Sequence, residues 1–370
     1  MHAGGAARLR TVTLAVLTLS LTAAATGCGN DSGGQGGEVT VGIALPTTKQ
    51  TRWIADGNNM EKLFKEQGYK TDKQYAEDSV EKQVEQVEAM IDRGDKLLII
   101  GAVDGFELGD ALQKASRAGV KVIAYDRLLL GSSNVDYYAS FNNYKVGELQ
   151  AQYIIDKLGL KKGGNAGPYN IELFAGDAND NNVRGFFSGA MDTLNEFIQD
   201  GQLEVPSKQT RLSQVTTYKW QADIAQETMT TRLNDFYKGS STVDAVLAPN
   251  DGIARGLIKA LKKDDYGTAA KPMPIVTGQD AETESVNEII AGDQSMTVYK
   301  DTRKLAEVAV KMAQDILSGK RPETNSNNSD SNDNGNKVVP AYLLAPVSVD
   351  KSNYKKLLVD SGYIKASDLN

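Results

Sequence analysis

The sequence predicts an α/β protein built as two doubly wound parallel-sheet domains. Short apolar runs of strand length alternate with amphipathic stretches of helical period from Glu38 to about Ser318. Repeated strand–helix units imply parallel sheets covered by helices on both faces. A length of 370 residues fits two such sheets, at roughly 150 residues per domain.

Taken in order, 39–45 reads as a strand, 53–67 as a helix and 69–75 as a weaker strand. Helix 80–91 puts Val80, Val84, Val87 and Ile91 on one face. Asp78 and Glu81 have capping-box spacing at its start, and Gly94 follows its end. Segments 97–100 and 120–125 are apolar enough for buried strands, with helix 108–118 between them, and 137–141 is a further strand. Beyond Asn143 the pattern gives helix 144–158, strand 169–174, helices 183–198 and 218–236, strand 243–248 and helix 252–262. Strand 273–277, helix 284–291, strand 295–299 and helix 302–318 complete it. The polar run 323–336 contains Asp330, Asn332, Asn334 and Gly335 in the order of the first half of a calcium loop. Its twelfth position is Ala341 rather than Glu, so the bidentate ligand is missing. A plain solvated loop is the preferred reading, since an Asn- and Ser-rich segment has little to bury.

Cys28 is the only cysteine. Ahead of it stand Arg8 and Arg10, the apolar run 12–25 and then Ala25-Thr26-Gly27, the order of a secretory signal peptide. Small residues before a Cys fit a lipobox, in which the cysteine becomes the acylated first residue. The alternative is an ordinary signal peptide with a chance Cys, but no disulfide partner exists. The expected organisation is a signal peptide over 1–27, then the acylated Cys28 and a flexible Gly/Ser-rich tether over 28–37. That places the protein outside the cytoplasm, anchored to a membrane through lipid on Cys28.

Composition narrows the chemistry further. Cleavage before Cys28 also removes His2, the only histidine. Cys–His nucleophile pairs and the usual zinc sites are then excluded. No catalytic residue, metal or cofactor is expected. The net charge of −7 becomes −9 once Arg8 and Arg10 are lost. An acidic chain with no basic cluster argues against nucleic acid and against docking on anionic lipid by charge alone.

Ligands of open parallel sheets bind beyond the carboxyl ends of the strands. Polar side chains recur there: Lys49, Arg52 and Trp53; Asp126 and Arg127; Asn142 and Asn143; Asp180, Asn181 and Asn182; Asn250 and Asp251; Gln279 and Asp280; Lys300. Planar carboxylate, amide and guanidinium groups offer paired acceptors and donors suited to adjacent hydroxyls of a sugar. Trp53 and Trp220, the only tryptophans, offer flat faces for its C–H surface. Asp251 is read as the cap of the following helix. No GxxxxGK[ST] or GxGxxG stretch follows a strand, so phosphate is a poorer candidate. A glycosidase needs two carboxylates at a set separation, and Asp126 and Asp280 are the candidate pair. Arg127 is expected to keep Asp126 ionised and unfit as a general acid.

The stretches Thr51-Arg52-Trp53-Ile54-Ala55-Asp56-Gly57, Val122-Ile123-Ala124-Tyr125-Asp126-Arg127, Asp180-Asn181-Asn182, Thr277-Gly278-Gln279-Asp280-Ala281-Glu282 and Thr297-Val298-Tyr299-Lys300 resemble the periplasmic sugar-binding proteins of ABC importers. They are most similar to the xylose-binding and multiple-monosaccharide-binding branch. The resemblance runs from about Val39 to the C-terminus. It implies a type I periplasmic binding protein with two Rossmann-like lobes joined by a three-stranded hinge, crossing near Asn142, Lys300 and Val339. The implied lobes are 38–142 plus 301–338 and 143–300 plus 339–370. The implied sugar contacts are Arg52, Trp53, Asp126, Arg127, Asn182, Trp220, Asn250, Asp280 and Lys300. The segment before Trp220, 207–219, matches poorly. The resemblance also implies a pyranose monosaccharide of the glucose, galactose, xylose or arabinose class as ligand. The partner would be an ABC transporter permease that recognises the closed form of a monomer. The alternative is a protein that binds a sugar or furanosyl signal for a sensor kinase or a quorum-sensing system.

Overall fold

The computed structural model describes residues 39–370. The expected signal peptide, Cys28 and the tether lie outside the described residues. The first part of the chain runs β1 (Thr40–Leu45), α1 (Thr51–Glu66), β2 (Lys70–Tyr75), α2 (Val80–Arg93), β3 (Leu97–Ile100), α3 (Gly109–Arg117), β4 (Lys121–Tyr125) and β5 (Tyr137–Phe141). It continues through α4 (Asn143–Leu158), β6 (Tyr169–Leu173), α5 (Asn182–Gln199), β7 (Leu203–Glu204), α6 (Leu212–Val215), α7 (Ala222–Phe236), β8 (Ala245–Leu247), α8 (Asp251–Lys263), β9 (Ile275–Val276), α9 (Thr283–Ala291) and β10 (Met296–Tyr299). The last part is α10 (Thr302–Leu317), α11 (Ser329–Asn332), β11 (Ala341–Leu344) and β12 (Val347–Asp350).

Alternation along β1 sets the layers of the first lobe. Val41, Ile43 and Leu45 join α1 and α10 in one apolar cluster, while Ala44 joins α2 and α3 in another. Period-two side chains divide a strand in just this way. The sheet between them is parallel throughout, in the order β11-β5-β4-β3-β1-β2. The second lobe has the parallel order β7-β6-β8-β9. It extends through a Gln279–Val298 bridge to β10, which pairs antiparallel with β12. Helices α4 and α5 cover one face of this sheet and α7 and α8 the other. The approach of α4 to α5 depends on Gly147, where a Cβ would lie 1.9 Å from the Phe186 carbonyl oxygen. This is the type I periplasmic-binding-protein fold. No helix among the described residues is long and apolar enough to cross a membrane.

The chain crosses between the lobes three times, and two crossings double as helix caps. At the first, Asn142 Oδ1 accepts from Lys145 N at 3.0 Å. At the second, Asp301 Oδ1 accepts from Arg303 N at 3.2 Å. The third was expected near Val339, but Val339 is buried in the first lobe's core and β11 pairs with β5 along its whole length. That crossing therefore lies between Leu344 and Val347.

Several local expectations also shift. The cap of α2 is Ser79, whose Oγ accepts from Lys82 N at 3.1 Å, while Asp78 takes a left-handed backbone. Helix α7 starts at Ala222 rather than 218, because Lys219 and Trp220 are left-handed and interrupt it. The Asn-rich run is not a plain solvated loop. Asn332 and Asn334 are buried, and Asn334 Nδ2 donates to the carbonyls of Leu129 at 3.1 Å and Ser132 at 2.7 Å. A short amide side chain can mimic backbone partners in this way, which composition alone does not register. Among the described residues, no three His, Cys, Asp or Glu side chains converge as metal ligands.

Candidate ligand-binding cleft

All nine predicted contact residues line one cleft between the lobes. The first lobe contributes Arg52 and Trp53 from the opening turn of α1, and Asp126 and Arg127 from the end of β4. The second contributes Asn182 from the start of α5, Trp220 from the turn before α7, Asn250 from the end of β8 and Asp280 from beyond β9. Lys300 comes from the crossing after β10.

Asp126 is the centre of the arrangement. Its backbone is left-handed, φ 61°, and its N–H donates to Ala139 O at 2.8 Å. Its own carbonyl accepts from Tyr138 Oη and Ser140 Oγ, both at 2.7 Å. So fixed, the carboxylate meets Arg52 Nη2 at 2.9 Å. Arg52 also holds Asp56, one helical turn on, at 3.0 Å, and reaches Asp280 of the other lobe at 4.0 Å. Burial pushes the Asp126 carboxyl up, but the charges of Arg52, Lys300 and Arg127 outweigh it and bring it down to about 2. Burial also pushes Asp56 up, and there Arg52 and the Tyr125 hydroxyl, donating at 2.6 Å, compensate only partly, leaving it at about 6.

Arg127 helps to keep Asp126 ionised, as expected, but its direct contacts are elsewhere. Arg127 Nε lies 2.8 Å from Asp180 Oδ2 on the opposite lobe, a close charge contact without hydrogen-bond alignment. Its Nη1 donates to Ala102 O at 2.9 Å. Sequence neighbours leaving a strand diverge, so Asp126 turns to its own lobe and Arg127 across the gap. Burial raises the Asp180 carboxyl, with Arg127 opposing. Asn182 bridges the lobes as well: its Nδ2 donates to Asp126 O at 3.1 Å, and its Oδ1 accepts from Asn143 Nδ2 at 2.7 Å. Lys300 Nζ lies 3.1 Å from Asp280 Oδ1.

The two tryptophans differ. Trp53 is 1% exposed and sits in the first lobe's core, with the guanidiniums of Arg52 and Arg127 4.4 and 5.3 Å from its ring centre. Trp220 is half-buried and meets Phe186 edge-on at 6.5 Å. The helix cap expected at Asp251 is supplied by Asn250, whose Oδ1 accepts from Ile253 N at 3.0 Å. Asp251 is buried and accepts from Gln294 Nε2 at 2.8 Å, Glu282 N at 2.9 Å and Thr297 Oγ1 at 3.1 Å. Sequence reasoning missed Gln50 and Phe186, which also line the cleft. Phe186 follows Asn182 by four residues on α5 and so shares its face, a spacing that would have found it. Asp56 stands four residues after Arg52 and was legible on the same rule.

As it stands, the cleft leaves about 20 Å³ between these groups, roughly room for one water. A larger cavity of about 950 Å³ lies to one side, bounded by Phe106, Tyr144, Ser326 and Asn334 among others. Among the described residues, its charged lining groups are Arg184 and Asp333. The convergence of paired charges is in the smaller space.

Residues 41–321 match the periplasmic binding protein domain family. The chain belongs to that family. It is 52% identical to the multiple sugar-binding periplasmic protein SbpA of Azospirillum brasilense, over 95% of this chain and 97% of that protein. Identity to the D-xylose-binding periplasmic protein of Escherichia coli is 33%, over 90% and 93%, so this chain stands nearer to SbpA. An ABC transporter solute-binding protein from Clostridium phytofermentans, solved with bound β-D-glucose, superposes with a TM-score of 0.85 at 44% identity. That likeness covers 90% of this chain and all of the other.

Proposed function

We propose that this protein is the lipid-anchored solute-binding subunit of an ABC importer. It captures a pyranose monosaccharide of the glucose, galactose, xylose or arabinose class between its lobes, as a monomer, and delivers it to the permease. The observation that carries this reading is one interlobe cleft where an ionised Asp126, the cations Arg52 and Lys300, the amide Asn182 and the indole of Trp220 meet. An ionised acceptor beside cationic and amide donors matches neighbouring hydroxyls, and an indole matches the apolar face of the ring. The bound sugars and names of the relatives point to the same ligand class.

The mechanism follows from the geometry. A pyranose does not fit the 20 Å³ left between the paired side chains. Entry therefore requires the lobes to part about the three crossings. Parting breaks contacts such as Arg127–Asp180 and the bond from Leu128 N to Asn181 Oδ1 at 2.9 Å. A sugar that bonds to Asp126 and Arg52 on one lobe and to Asp280 and Asn250 on the other favours closure over it, shifting the population toward the state a permease would read. Turnover is not part of this reading. Asp126 is held far too acidic to donate a proton near neutral pH, so glycosidic general-acid chemistry has no donor at that position.

The test is isothermal titration against a panel of aldopentoses and aldohexoses, with aryl glycosides assayed in parallel for released product. Saturable binding of a subset of aldoses without turnover supports the proposal. Failure to bind any aldose, or hydrolysis of the glycosides, would overturn it.

A further inference from the structure

Trp220 is held in the cleft by a turn that would not form unaided. Lys219 and Trp220 have left-handed backbones, φ 49° and 57°. Two successive side-chain-bearing residues in that region need external support. The support comes from the end of β6. Ala175 N donates to Val215 O at 2.8 Å and Thr217 N to Gly176 O at 3.1 Å, so the chain before the turn runs beside the strand. The Lys219 N–H then donates to the carboxylate of Asp177. The other oxygen of that carboxylate accepts from Asn179 N at 2.8 Å. Beneath the indole lies Gly176, where a Cβ would stand 2.1 Å from the ring. Across the cleft, Lys219 Nζ donates to Asp78 O at 3.1 Å.

We propose that Asp177 is a positioning residue for ligand binding. Its carboxylate fixes the left-handed Lys219–Trp220 turn, and the turn keeps the indole over Gly176 as the platform for the apolar face of the sugar. Asp177 itself does not line the cleft, so it acts through Trp220. The proposal rests on reading the cleft as a sugar site. It also accounts for how the poorly matching segment before Trp220 still brings that side chain into place: the anchoring groups are on a different stretch of chain.

A double-mutant cycle on the full-length protein tests it, read by calorimetric titration of D-glucose and D-xylose. Trp220→Ala and Asp177→Ala are each expected to weaken binding about tenfold, the scale of one aromatic contact. The double variant is expected to be no weaker than Trp220→Ala alone. Asp177→Ala combined with Lys219→Gly should recover most of the affinity, because glycine takes a positive φ without steric cost. In a Trp53→Phe background, indole emission should shift to the red in Asp177→Ala and return in the combined variant. If Asp177→Ala does not fold, Asp177→Asn keeps the side-chain shape with a weaker acceptor and should show the same pattern in smaller measure. Wild-type affinity in the Asp177 variant, or a double variant markedly worse than Trp220→Ala, would overturn the proposal while leaving the sugar site standing. Wild-type affinity in Trp220→Ala would instead overturn the assignment of that indole to the sugar, and the positioning role with it.

Discussion

Replacing Asp126 by Asn changes almost nothing but charge, and the structure sets the size of the response. The carboxylate is 3% exposed and lies 2.9 Å from Arg52 Nη2. Its depression from 3.8 to about 2 corresponds to about 2 kcal/mol of favourable interaction in the folded state. The folded value lies below the unfolded one. This contribution is therefore complete above pH 3.8 and is lost as the pH falls through about 2. At pH 7 the variant should be less stable by about 2 kcal/mol in urea or guanidinium unfolding. Asp56 keeps Arg52 partly compensated, so folding should survive. Binding should suffer separately, because a hydroxyl bonded to an ionised acceptor is worth about 1.5–3 kcal/mol. That corresponds to roughly 10- to 150-fold in Kd, measured by titration with the best aldose. Lost stability with a Kd within twofold of wild type would refute the assignment of Asp126 to the ligand. Lost affinity with unchanged stability would refute the Arg52 pairing as the reason for its acidity.

Other expectations are independent of that one. Asp56 sits at about 6, above its ordinary value, so its contribution to stability grows as the pH falls through about 6 and levels off below 3.8. A profile of Tm against pH should lose that component in Asp56→Asn, and an unchanged slope would count against the burial argument. Gly147→Ala drives a methyl to 1.9 Å from the Phe186 carbonyl, backbone against which no rotamer can yield. A loss of about 1–3 kcal/mol is expected, seen as a lower denaturation midpoint. Asn334→Ala removes two buried bonds to the carbonyls of Leu129 and Ser132. It should cost about 2 kcal/mol, whereas a solvated loop would lose nothing measurable.

The strands that form the centre of each sheet were the legible ones. Runs such as Leu97–Ile100 and Ala245–Leu247 are buried on both faces, and continuous apolarity is the mark of that environment. The polar pairs beyond those strands were legible because topology directs strand ends to one cleft. What remained hidden depends on contacts distant in sequence. Strand β7 has only two residues, Leu203 and Glu204, too few for any period. Strand β11 falls within the stretch 339–370 expected in the second lobe, and only its register against β5 shows that it belongs to the first. Adjacency in sequence pointed to Arg127 as what keeps Asp126 ionised; Arg127 does contribute, but the direct partner is Arg52, which the fold brings from 74 residues away. The left-handed turn at Lys219 and Trp220 was invisible because neither residue favours that conformation. It exists through Asp177, and no local propensity announces it.

The order of strands in the first sheet has a consequence for how the chain matures. Its edge, β11, and the helix α10 that covers one face both come from the far end of the sequence. A nascent chain that has emerged only as far as Lys300 leaves β5 as a bare edge and the Trp53 and Phe64 side of the core without Leu305, Ala309 and Ala313. Until the second lobe has been synthesised, the first therefore lacks an edge strand and one of its covering helices. In that interval the β5 edge and the Trp53 and Phe64 side of the core are the surfaces a holding chaperone would shield.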